Sequence, residues 1–336
     1  MFSVLIRVLL LAMLLPIMGA RADHALPRME DRVRIAEAYR LADAVAEKQW
    51  PGWGEVPFVL LLLTEDTEYL YAHPYPPDEF VSLGVDAVVG AELHARPSTG
   101  AFGLGFAATF PAVRGVNTVV IGTPEHTGHT STRWVLTALH EHFHQLQYTR
   151  PWYYEAVAAL GLANGDETGM WQLNYPFPYD APELGERFAA YRDALAHALD
   201  ADDALLEAAM QAWAAARSAF AAGLAADDYR YFAFQLWQEG VARYTEYMVA
   251  RAAITEHRPL PAFAVLDDFV PYQQAHSDMM SGLREELESL VLARDQRLVV
   301  YPVGAAEALL LDRAGEDWKA RYFSSPLGLG EGWRQK

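Results

Sequence analysis

The chain has 336 residues, 52% of them apolar and 21% charged, with 44 acidic against 26 basic side chains, a formal net charge of −18 and no cysteine. That profile suits a globular protein with a substantial core and excludes a disordered or collagen-like chain. The negative charge opposes binding to nucleic acid or anionic lipid. The lack of cysteine excludes a thiol nucleophile, a thiolate metal site and a disulfide framework, so any metal site has to be built from His, Asp and Glu.

The N-terminus reads as an export leader. Arg7 gives a positive start, residues 8–17 are apolar, and Ala20-Arg21-Ala22 is a small-x-small cleavage site ahead of Asp23. The alternative is an uncleaved anchor, for which the apolar run is short and carries the charge of Arg7. Cleavage after residue 22 removes Arg7 and Arg21 and leaves a net charge of 24 − 44 = −20. The expected product is exported, periplasmic or secreted, with no further membrane segment and no large pro-segment before Met29.

Apolar residues recur at helical spacing over 29–49, and Pro51-Gly52 stops the run. Residues 58–63 form a continuous apolar stretch that fits a buried strand, and 68–73 can pair with it. Residues 102–110 and 116–121 are further strand candidates, joined by a turn over 111–115. From Ser131 the character changes. Thr130, Ser131 or Thr132 can cap a helix running to about Tyr148, and 183–200, 203–223, 229–253, 281–295 and 305–313 are helix candidates. Strands followed by helices predict an α+β chain: a leader over 1–22, a small mixed sheet region over 23–125, and a mostly helical region over 126–336.

Residues 140–144 read His-Glu-His-Phe-His. On a helix, positions i and i+4 share one face, so His140 and His144 can reach one ion, and Glu141 lies beside them where it can act as a base. His142 points away from that face and is expected to be a surface or hydrogen-bonded histidine. A catalytic zinc usually has three protein ligands and a water, so a third ligand must come from elsewhere. Glu239, in Trp237-Gln238-Glu239-Gly240, stands in an otherwise apolar stretch, and Gly240 in mid-helix suits a close approach by another helix or a ligand, the alternative being an ordinary Glu on a solvated face with a tolerated glycine.

HExxH followed by Trp-x-Glu-Gly-x-Ala-x-Tyr-x-Glu resembles the gluzincin metallopeptidases, and its second segment is similar to the ligand-bearing helix of the zinc aminopeptidases. The resemblance implies a zincin-like fold, Zn2+ held by His140, His144 and Glu239, and Glu141 as general base. It spans two helices. The 94 residues between His144 and Glu239 exceed the aminopeptidase separation, and no Gly-x-Met-Glu-Asn segment is present.

Glu239, Arg243 and Glu246 share a helix face. Glu246 is a candidate to orient His140 or His144, and Arg243 to brace it, the alternative being a surface ion pair. Tyr301, ahead of Tyr244, is the candidate to stabilise an oxyanion. The aromatic, proline-rich stretch 170–179 reads as a stiff loop packed on the helices or walling a cleft. His126 and His129 lie in a polar turn, as rim or exposed residues. By the resemblance, the strand over 116–121 is expected to be the edge that holds an extended peptide. The function expected is zinc-dependent hydrolysis of a peptide or peptide-like substrate. The alternatives are a cell-wall peptide amide as substrate, or a non-catalytic zinc or substrate-binding protein.

Overall fold

A computed structural model describes residues 25–323 and 328–329. The leader read from residues 1–22 lies outside them. Among the described residues no helix is long and apolar enough to cross a membrane.

Helix α1 (Met29–Gln49) opens the fold. It is enclosed on most sides, with Ile35, Ala38, Leu41 and Val45 at 0% exposure. Such burial requires its polar groups to be paired. Arg32 makes a two-pronged contact with Asp86, both bonds 2.8 Å. Glu37 accepts from Tyr272 at 3.0 Å and from the Leu260 amide at 2.9 Å, and lies 2.8 Å from His257 Nε2.

Six strands follow: β1 (Leu60–Leu63), β2 (Thr67–Tyr71), β3 (Val81–Val85), β4 (Glu92–Pro97), β5 (Ala107–Val113) and β6 (Val116–Gly122). The sheet order is β3-β4-β2-β1-β6-β5, with β1 and β6 parallel and the other pairs antiparallel. The strand period of two divides β1 between two cores. Leu60 and Leu62 join the main core under the helices, while Leu61 and Leu63 face a smaller cluster with Phe80 and Val120, against which Phe102 and Phe110 pack.

Strand β6 is therefore interior, and β5 is the edge, contrary to the expectation from sequence. The turn is also tighter than expected. Arg114 and Gly115, at φ 48° and 75°, make a two-residue reversal, while Pro111 lies inside β5 at a register shift. An edge strand is where proline, which lacks an N–H, is tolerated.

The remainder is helical: α2 (Pro124–Thr127), α3 (Ser131–Tyr148), α4 (Tyr153–Ala159), α5 (Trp171–Asn174), α6 (Pro182–Asp200), α7 (Leu206–Ala221), α8 (Ala226–Gln235), α9 (Val241–Glu256), α10 (Tyr272–Ser289), α11 (Leu292–Asp295), α12 (Val300–Arg313) and α13 (Trp318–Tyr322). The sheet-then-helices order makes the chain α+β. Helix α3 packs against α1, α9, β5 and β6 and is buried through nearly its whole length. The Thr130 side chain caps it by accepting from Arg133 N, and Asp268 binds the Ser131 amide at 2.8 Å.

Candidate metal centre

Helix α3 carries His140, Glu141 and His144, all less than 10% exposed. Their one-turn spacing puts the two Nε2 atoms 3.3 Å apart. Glu239 arrives from the α8–α9 rod. Its Oε2 lies 3.4 Å from His144 Nε2 and 3.8 Å from His140 Nε2. Tetrahedral ligation at roughly 2.0–2.1 Å requires ligand atoms about 3.4 Å apart. The observed separations match that requirement, so the His140, His144 and Glu239 atoms could hold one metal ion.

The approach of Glu239 has a local cause. Between α8 and α9 the helix widens into one π turn, Leu236–Gly240. Such turns add a residue and re-aim the side chains around it. The rod also lies backbone to backbone on α12. A Cβ built on Gly240 would come within 2.5 Å of Gly304 Cα, and one on Gly304 within 2.6 Å of Gly240 Cα. Of the two partners the sequence left open for this mid-helix glycine, a helix or a ligand, it is a helix that approaches.

Each of the two histidines has a polar group behind it. His144 Nδ1 lies 2.6 Å from Gln147 Oε1, which makes Nδ1 the protonated nitrogen and turns the Nε2 lone pair toward Glu239. Gln147 is fixed in turn by donating to the Gln238 carbonyl at 3.1 Å and to Tyr322 at 2.7 Å. His140 Nδ1 lies 3.7 Å from Glu246 Oε2, and Glu246 Oε1 pairs with Arg133 at 2.9 Å. Burial favours a neutral Glu246, but Arg133, His140 and Arg243 outweigh it and hold the carboxyl at about 2. Burial likewise opposes charge on His140, yet Glu239 and Glu246 raise it to about 9. Glu239 is held well below the usual carboxylate range, the cost of burial being overcome by His144 and His140.

Glu141, next to His140 in α3 and within electrostatic reach of it, has its Oε2 2.9 Å from Thr109 Oγ1 on β5. Tyr301 faces the site from α12, its ring 6.3 Å from that of His140. Arg297 donates to the Tyr301 hydroxyl at 3.1 Å and reaches within 3.7 Å of Glu239 Oε1. Arg243 lies 3.7 Å from Glu246 Oε2.

Other sequence candidates lie elsewhere. His142 is buried on the opposite face, stacked on Phe58 at 4.1 Å and bonded to Gln145, and burial lowers it to about 4. It is a hydrogen-bonded core histidine and has no surface role. Tyr244 donates to Asp312, away from the ligands. His126 contacts Thr123 and Glu65, whereas His129 is half-buried within electrostatic reach of Arg133 and Glu246. In the 170–179 stretch, Trp171 stacks on Phe234 and Tyr175 on Tyr231, so it is packed on the helices. Thr109, Gln147, Tyr148 and Arg297 were not anticipated. Tyr148 stacks on His144 and donates to the Thr109 carbonyl. Gln147 and Tyr148 follow His144 at i+3 and i+4, and helical spacing alone could have flagged them.

Comparison of the chain with protein-family models, with curated proteins and with solved structures yields no match.

Proposed function

We propose that the protein is an exported, single-metal zinc hydrolase that cleaves a peptide or peptide-like amide. The observation that carries this reading is Glu141: a buried carboxylate beside the His140/His144/Glu239 triad but outside it, with its own orienting hydroxyl on Thr109. A site that only held a metal would have no need of that fourth, separately positioned carboxylate. The donor set of two imidazoles and one carboxylate suits zinc. Zinc bound there would supply Lewis-acid polarisation and a water acidified toward neutrality.

Glu141 Oε1, the oxygen that Thr109 leaves free, accepts a proton from the attacking water and returns it to the leaving nitrogen. The Tyr301 hydroxyl receives the Arg297 hydrogen bond, so its own proton is free for the developing oxyanion. Tyr148 is less suited to that role, because its proton is directed at the Thr109 carbonyl. Strand β5, with no strand on its outer side among the described residues and touching Glu141 through Thr109, offers backbone groups to an extended substrate.

The test is metal content and peptide hydrolysis by the purified protein beside Glu141→Gln and Glu239→Ala. One zinc per chain is expected, kept in Glu141→Gln and diminished in Glu239→Ala, with hydrolysis lost in both. Stoichiometric zinc with no hydrolysis of a broad peptide library would replace the reading with a binding role.

A further inference from the structure

Around this acidic chain's metal centre stand three arginines, Arg133, Arg243 and Arg297. Arg133 is matched by its 2.9 Å pair with Glu246. The other two have only longer ion pairs. Arg243 has 24% of its side chain exposed and donates no hydrogen bond among the described residues. Its nearest carboxylate oxygen is the 3.7 Å Glu246 contact, beyond hydrogen-bond reach. Arg297, 20% exposed, spends two donors on Gln235 and Tyr301, and its carboxylate contact with Glu239 is also 3.7 Å. Both guanidinium groups lie over the Tyr301 ring, 5.7 Å and 5.4 Å from its centroid. None of their nitrogens is sealed from solvent without a partner. Glu286 acts on Arg243 through the electrostatic field alone. Two half-buried guanidinium forks with unspent donors, set against the same ring that faces His140, match the geometry of a carboxylate.

We propose that Arg243 and Arg297 form a carboxylate subsite that selects substrates bearing a negative charge beside the scissile amide. This deepens the hydrolase reading and rests on it for where the substrate lies. The carboxylate is either a peptide's own C-terminus or an Asp or Glu side chain.

The test uses zinc-loaded Glu141→Gln protein, which binds without turnover, and a neutral pentapeptide in three forms: free C-terminal acid, C-terminal amide, and amide with one residue replaced by Glu. Calorimetry should show at least one charged form binding about 10- to 100-fold more tightly than the neutral amide, the range expected of charge-assisted hydrogen bonds. The preference should vanish in Arg243→Gln and Arg297→Gln. A gain confined to the acid form assigns the subsite to the chain terminus, and an equal gain from Glu assigns it to a side chain. Equal affinity for all three forms overturns the proposal. That comparison requires no arginine variant, so a variant that fails to fold leaves the test intact. Hydrolysis without any charge preference would remove the subsite alone. Zinc without hydrolysis would remove the hydrolase reading, and the peptide affinities are read independently of it.

Discussion

The smallest unit that decides chemistry here is the Thr109 hydroxyl. It has one proton and two acceptors within reach, the Glu141 carbonyl at 2.8 Å and the Glu141 Oε2 at 2.9 Å. Either bond fixes the side chain between β5 and α3, and the second fixes which carboxylate oxygen remains free. Thr109→Val keeps the shape and removes the bond. Zinc affinity should be unchanged, because Thr109 touches no ligand, while kcat falls about 10- to 100-fold, as expected for losing a hydrogen bond to a charged group. Paired zinc titration and steady-state kinetics separate the two, and an equal loss of both would show that Thr109 merely supports the fold. The His-Glu-x-x-His pattern was legible because helical period alone brings its members together. Thr109 was not, since it reaches Glu141 across 32 positions of chain through a tertiary register that no local pattern encodes.

At the scale of elements, the α8–α9 rod is the piece whose geometry the sequence hid. An apolar run with helical spacing over 229–253 predicts one regular helix, and one rod does form, but with the π turn Leu236–Gly240 in its middle. Periodicity cannot reveal an extra residue in a single turn, although Gly240 marks the place. The same limit explains two missed strands. β3 contains Gly84 and is largely exposed, so it lacks an apolar face, while β4 carries His94 and Arg96 and is defined by its pairing with β2. By contrast β1 and α1, whose apolar residues meet the core directly, were readable close to their observed bounds. The Gly240–Gly304 contact yields a prediction at this scale. Gly240→Ala places a methyl group where Gly304 Cα already lies 2.5 Å away, and backbone cannot yield as a flexible side chain does. Overpacking of this kind costs about 1–3 kcal/mol. Because Glu239 is the adjacent residue, zinc affinity should fall as well. Urea denaturation and chelator competition measure both, and an unaltered denaturation midpoint would mean that the two helices can separate without cost.

For the whole molecule, the candidate metal centre is a junction. Its ligands come from α3 and the α8–α9 rod, Glu141 is tied to the edge of the sheet, and Tyr301 comes from α12, so an ion held there links elements from both the sheet and the helical regions. Binding confined to the folded state stabilises it by about 4 kcal/mol when free ligand is a thousand times Kd. For a chain of this size that corresponds to a rise in melting temperature of about 6 °C. The pH dependence has a definite sign. Without metal, His140 is raised from its usual 6.5 to about 9 by Glu239 and Glu246 against the opposing effect of burial. Its charged form therefore contributes stability that is complete below pH 6.5 and fades as pH rises through 9. Metal binding needs the neutral imidazole, so uptake at pH 7 should release about one proton, and affinity should rise by up to about tenfold per pH unit until pH 9. The two trends run in opposite directions. Between pH 6 and pH 9 the chelated protein should lose melting temperature relative to the zinc-loaded protein, and the gap between them should widen. Thermal melts with and without chelator, together with calorimetry in buffers of different ionisation enthalpy, measure the gap and the proton count. A gap that narrows with pH, or uptake without proton release, would show that Glu239 and Glu246 do not hold His140 protonated in the metal-free protein.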